Sequence, residues 1–146
     1  MKRYNFLEGE VLLFDKPLNW TSFQLVNKVR YLIQRQIGRK LKVGHAGTLD
    51  PLATGLLIIC TGKETKNIEK YQGLEKRYDG HFTLGATTPS FDLETPIDKT
   101  FDVSHVTLPK IKEVAKAMLG SQEQTPPAYS AVKVKGVRAY DHARRG

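Results

Sequence analysis

GHAGTLDPLATGLLIICTG, residues 44–62, is the stretch on which the fold turns. Its second half, LLIIC at 56–60, is an unbroken apolar run between Gly55 and Gly62. Five residues are too few for a helix and suit a buried strand bounded by turns. Its first half holds Gly44, His45, Gly47, the single carboxylate Asp50, and Pro51. Pro51 has a fixed φ and restricts Asp50 to extended conformations. Gly44 and Gly47 would let the backbone turn, or let a ligand come close. From spacing alone the acid reads in two ways. It is an Asp-Pro turn before a strand, or a rigidly placed carboxylate that attacks an electrophilic carbon. With an ordinary aspartate pKa of about 3.9, such a group stays ionised unaided. His45 and Tyr78 are the candidates by type for moving a proton beside it.

The pattern of a nucleotide cradle is not met. A phosphate-binding loop needs a glycine, four further residues and then Gly-Lys-Ser/Thr. Here Gly55 is followed by Leu56, and Gly62-Lys63 lacks both the earlier glycine and the hydroxyl after lysine. The chain has one cysteine, Cys60, and four histidines at 45, 81, 105 and 142 with no metal-ligand spacing. Cys60 sits inside the apolar run and reads as a small core residue.

Working outward, EVLLF (10–14) reads as a second buried strand, and DKPLNW (15–20) as a turn. Thr21-Ser-Phe-Gln24 is a capping-box pattern that opens a helix. That helix places Leu25, Val26, Val29, Leu32 and Ile33 on one face and stops at Gly38. After LLIIC, KETKNIEKY (63–71) reads as two helical turns. KRYDGHFTL (76–84) alternates, with Tyr78, Gly80, Phe82 and Leu84 on one face, and predicts a strand. Residues 85–100 read as a loop or irregular hairpin. Thr107 caps a helix with Pro109 in its first turn, Ile111, Val114, Ala115, Met118 and Leu119 on its apolar face, and Gly120 as its stop. AYSAVKV (128–134) reads as a strand, Lys135-Gly136 as a turn, and VRAYDHARR (137–145) as the start of a helix. Mixed elements without strict β-α-β alternation give an α+β fold with a largely antiparallel sheet flanked by helices. A length of 146 residues points to one domain.

The chain carries 23 Lys and Arg against 15 acids, a net charge of +8. Lys28, Arg30, Arg35, Arg39, Lys40 and Lys42 lie within 28–42 with no acid among them, and a second basic run spans 133–145. Each run is either a solvated face or a contact surface for a polyanion, most often nucleic acid. No stretch has the ~18 apolar residues of a membrane span, and the N-terminus makes a poor signal peptide. The expected location is cytoplasmic.

Four segments together carry a resemblance. GHAGTLDPLATGLLIICTG is similar to the active-site motif of the TruB family of tRNA pseudouridine synthases. GEVLLFDKPLNWTS (9–22) resembles that family's first strand and D-K-P turn. LEKRYDGHFTLGATTPSFD (74–92) resembles its K-R-Y segment, and PPAYSAVKVKGVRAYDHARRG (126–146) its P-P-x-[YF]-S-A segment. They occur in the family's order and cover nearly the whole chain. The resemblance implies an enzyme that converts uridine 55 in the T-loop of tRNA to pseudouridine, without metal or organic cofactor. It implies that Asp50 is the catalytic aspartate, acting on the ribose, on the base, or as a proton acceptor. It implies that Tyr78 packs on the target base and that His45 fills the space of the flipped-out nucleotide. Lys16 is expected as a structural or phosphate contact, and Arg39, Lys40 and Lys42 as phosphate contacts. The expected partner is tRNA through its T-stem-loop, with no membrane and no obligatory protein partner, the protein acting as a monomer. The family's catalytic domain continues past the point matching Gly146, with further strands and an arginine that pairs with the aspartate, and many members add a small RNA-binding domain. On that reading residues 1–146 are the N-terminal portion of a truncated pseudouridine synthase catalytic domain. A non-catalytic RNA-binding piece of the same fold is the alternative.

Overall fold

The two apolar runs become neighbouring strands of one sheet. In the computed structural model, β1 (Val11–Lys16) pairs antiparallel with β3 (Gly55–Thr61), which pairs antiparallel with β2 (Val43–Ala46), in the order β1-β3-β2. The structure describes residues 3–123 together with the backbone of 133–134 and 137–138. It divides into two compact units, Met1–Tyr78 and Asp79–Gly146, where the length alone pointed to one domain.

The register assigns the faces of the sheet in the first unit. Leu12 and His45 both stand opposite Ile59, and Phe14 stands opposite Leu57. This face packs under helix α1 (Ser22–Ile37), whose Leu25, Val26, Val29 and Ile33 complete the core with Leu41, Leu57 and Ile59. Burial of these side chains is the main driving force for the unit, at about 1.5–3 kcal/mol each. Leu32, expected on the same stripe, is half exposed. It flanks the 22–25–26–29–33 stripe rather than sitting in it. On the opposite face Leu13 pairs with Ile58 and Asp15 with Leu56, and Leu13 and Leu56 are largely exposed. The strands are therefore apolar on both sides but buried mainly on one.

The ends of α1 are those the sequence encodes. The Thr21 hydroxyl accepts from the Gln24 amide while the Gln24 side chain accepts from the Thr21 amide, and Gly38 closes the helix at φ 70°. After β3 comes a 3-10 helix, Gly62–Asn67, and then α2 (Ile68–Gln72), in place of the two α-helical turns expected there.

Residues 76–84 form no strand. Alternation marks which side chains share a face, but a strand also needs a neighbour for its ladder. Among the described residues none pairs with this segment, and Phe82 is 93 % exposed.

In the second unit β4 (Ala86–Thr87) and β5 (Lys99–Thr100) form the expected irregular hairpin. Helix α3 (Leu108–Ala117) is capped by Thr107 and has Pro109 in its first turn. It ends before Gly120, and its apolar side chains Ile111, Val114 and Met118 are exposed rather than packed. The short strands β6 (Lys133–Val134) and β7 (Val137–Arg138) pair antiparallel, with 134 opposite 137. Val137 and Arg138, read from the sequence as the opening of a helix, are strand instead, because their backbone pairs with 133–134. The rest of that helix, the turn expected at 135–136 and the start of the 128–134 strand lie outside the described residues. The observed elements are an α+β set with antiparallel sheets throughout. No helix of the described residues is long and apolar enough to cross a membrane.

Candidate active site

Asp50 lies in the connection from β2 to β3, and the chain meets that connection from two sides. On one side is β2. The His45 imidazole there donates from Nδ1 to the Gly47 carbonyl. Gly47 follows at φ 95°, a conformation that side-chain-bearing residues rarely adopt, and turns the chain out of the strand. A Cβ on Gly44 would stand 2.7 Å from the Ile68 Cδ1, so the bare glycine lets the Ile68 side chain of α2 lie close against β2.

On the other side is the 15–22 turn between β1 and α1. The Ser22 hydroxyl donates to the Leu49 carbonyl at 3.0 Å and accepts from the Leu49 amide at 2.9 Å. The Asn19 amide donates to the Pro51 carbonyl at 2.7 Å, with Asn19 itself at φ 64°. Asparagine is among the few residues that take this left-handed conformation readily. The Asp50 carbonyl accepts from the Ala53 amide at 3.0 Å, which closes a turn over Pro51-Leu52. The backbone is thus hydrogen-bonded at residues 49, 50 and 51, while the Asp50 side chain is exposed.

Lys16 ends β1 opposite Gly55, the first residue of β3. It is fully buried, and its ammonium donates to the Pro17 carbonyl at 2.9 Å and the Trp20 carbonyl at 2.6 Å. Burial lowers its pKa, and the negative charge of Asp50 works against that lowering. A cation engaged in this way holds the 17–20 turn in shape. Of the two roles expected for Lys16, the geometry favours the structural one over a direct contact with phosphate.

The site residues read from the sequence are therefore only partly brought together. Lys16 and Asp50 are close enough for their charges to interact where β3 begins, while His45 stands on β2 opposite Ile59, four residues further along β3, and is tied to the loop through Gly47. Tyr78 is 74 % exposed, and no hydrogen bond or ring contact among the described residues ties it to Asp50 or His45. Arg39, Lys40 and Lys42 are exposed in the link from α1 to β2, beyond the Gly38 stop. An open groove lined by Lys42, Gly44, Lys66, Glu69 and Gln72 lies beside β2 and does not include Asp50. Sequence reasoning missed Ser22 and Asn19. The D-K-P turn and the capping box marked their neighbourhood, but no local signal pairs Ser22 with a residue 27 positions away.

Comparison with known proteins adds lineage to this geometry. Residues 34–146 match the family model described as TruB family pseudouridylate synthase (N terminal domain). The chain is 59 % identical over 143 residues to the tRNA pseudouridine synthase B of Flavobacterium johnsoniae, covering 97 % of this chain and 62 % of that one. It is 60 % identical over 143 residues to the protein of the same name in Phocaeicola vulgatus, covering 97 % and 61 %. With that of Chloroherpeton thalassium it shares 51 % over 139 residues, covering 95 % and 57 %. The chain spans about three-fifths of the length of these relatives.

Proposed function

The chain belongs to the TruB family of pseudouridylate synthases, and from that membership we propose that it acts in converting uridine to pseudouridine in tRNA, at position 55 of the T-loop. The reaction breaks the bond from ribose C1′ to N1 of the base and makes one from C1′ to C5. C5 gives up its proton and N1 gains one, so the change is an isomerisation. Asp50 is the carboxylate that acts on the nucleotide. The observation that carries this reading is an exposed acid on a backbone hydrogen-bonded at three consecutive residues, 49–51. Such placement is what a group reacting with a bound nucleotide needs, because misplacement by about 1 Å can cost about a hundredfold in rate.

The other residues take supporting roles. The target base leaves its stack to be reached, and a flipped base is held by stacking and by contacts to its edge. Tyr78 supplies the stacking face, and His45 occupies the gap left by the extruded nucleotide. Arg39, Lys40 and Lys42 bind phosphates, which positions the RNA without reading its sequence. Lys16 keeps the 17–20 turn in place behind Asp50.

The test is an unmodified T-stem-loop RNA incubated with the parent protein and with Asp50→Asn, followed by chemical mapping of pseudouridine. Turnover by the parent and none by Asp50→Asn supports the reading, and equal turnover refutes the role of Asp50. One observation favours a second reading. The chain spans three-fifths of its relatives' length, and on that basis it binds the RNA without completing the reaction. RNA binding by both proteins with no turnover by either is the result expected then.

A further inference from the structure

We propose that Ser22 is the positioning residue for Asp50, a buried hydroxyl whose two hydrogen bonds to Leu49 fix the backbone from which the Asp50 carboxylate departs. The proposal deepens the reading above and rests on Asp50 being the reacting acid.

Ser22 is the first residue of α1 and is 3 % exposed. A serine in this place is ordinarily explained by helix capping, but that task is already done. Thr21 and Gln24 satisfy each other's groups in the capping box, so the Ser22 hydroxyl is not consumed by its own helix. It spends one donor and one acceptor on the two backbone groups of a single distant residue, at 3.0 and 2.9 Å. Among the described residues it is the one side chain from outside the loop that hydrogen-bonds to residues 48–52.

The consequence for Asp50 follows from peptide geometry. The Leu49 carbonyl and the Asp50 nitrogen belong to one planar unit, so holding that carbonyl fixes the plane from which Asp50 departs. The next plane is held by the Asp50 carbonyl on the Ala53 amide, and Pro51 keeps Asp50 extended. With both flanking planes fixed, the remaining freedom of the carboxylate is its own side-chain rotation. Because α1 is anchored in the core by Leu25, Val26, Val29 and Ile33, Ser22 transmits the rigidity of the core to the loop.

The experiment uses Ser22→Val and Ser22→Thr, which match in shape and differ in the hydroxyl, with Ser22→Ala as a check that opens space instead of filling it. Two readouts need no turnover. The first is hydrogen exchange at the Leu49 amide, expected to rise about tenfold in Ser22→Val and Ser22→Ala and to stay near parental in Ser22→Thr, as for the loss of one net hydrogen bond. The second is the titration of Lys16 followed by NMR of its side-chain carbons. In the parent, Asp50→Asn lowers the Lys16 midpoint because the opposing charge is gone; in the Ser22→Val background the same change has a smaller effect, because the carboxylate is no longer held in place. On T-stem-loop RNA, kcat of Ser22→Val falls by up to about a hundredfold with KM little changed, and Ser22→Thr restores it. Unchanged exchange at Leu49, an undiminished effect of Asp50→Asn on Lys16 in Ser22→Val, or equal defects in Thr and Val variants would each overturn the proposal. Parental turnover by Asp50→Asn would instead overturn the role of Asp50, leaving exchange and titration to judge Ser22 separately.

Discussion

Two segments were assigned to the reacting nucleotide, 49–51 and 76–84, and their backbones are held very differently. The first is fastened by Ser22, Asn19 and its own Ala53 turn, and runs directly into β3, whose Leu57 and Ile59 are core residues. The second carries an equally plain pattern, with Tyr78, Gly80, Phe82 and Leu84 alternating, yet forms no ladder and leaves Phe82 93 % exposed. The difference teaches what makes a site residue rigid. Periodicity states which side chains go together, whereas fixity comes from partners distant in sequence.

Ile59→Ala should reduce the stability of the first unit by about 2–5 kcal/mol, because it removes a fully buried side chain from the core that β3 shares with α1. Phe82→Ala should change stability by no more than about 0.5 kcal/mol. Urea denaturation of both variants reads the contrast directly, and equal losses would break it.

Two glycines give a smaller version of the same contrast. Gly47→Ala forces a side chain into φ 95° and should cost about 1–3 kcal/mol. Gly80 has open space around its missing side chain and no positive φ, so Gly80→Ala should be neutral or stabilise by up to about 1 kcal/mol through the unfolded chain. A neutral Gly47→Ala in thermal unfolding would mean that the loop is looser than its hydrogen bonds indicate.

The smallest effect concerns the stretch leading from β3 toward residue 76. The Tyr71 hydroxyl donates to the Glu64 carboxylate at 2.6 Å and the Asn67 amide at 3.1 Å, and these bonds lower the Glu64 pKa. A lowered carboxylate pKa contributes stability above the unfolded value, about 4.3, and that contribution is lost as pH falls through the lowered folded value. Tyr71→Phe removes the larger of the two causes. Its stability deficit against the parent should therefore be largest near neutral pH and narrow on acidification. A deficit independent of pH would show that the loss is one of packing alone.

Much of the fold was legible because it is written locally. The capping box at Thr21, the stop at Gly38 and the strand at LLIIC each depend on neighbours a few residues away, and each stands where the sequence puts it. Asp50 was legible as a candidate because Pro51 and the flanking glycines are unusual company for an acid, and the family resemblance singled it out. The support behind it was hidden. Ser22 reaches Leu49 across 27 residues, and for Lys16 the sequence leaves a structural role and a phosphate contact both open until β1 and the following turn bury it. The strand expected at 76–84 failed for the complementary reason, since alternation cannot supply the neighbour that a ladder needs.

The central claim is that Asp50 works as a carboxylate held in one place. Asp50→Glu keeps the charge and moves it outward by one methylene, so pseudouridine formation on T-stem-loop RNA by this variant, beside the parent and Asp50→Asn, is the most direct measurement. The expected result is that Glu and Asn variants both lose turnover by at least about a hundredfold while RNA affinity stays close to parental. Near-parental turnover by Asp50→Glu would contradict the claim that placement matters, and near-parental turnover by Asp50→Asn would contradict the claim that the carboxylate does.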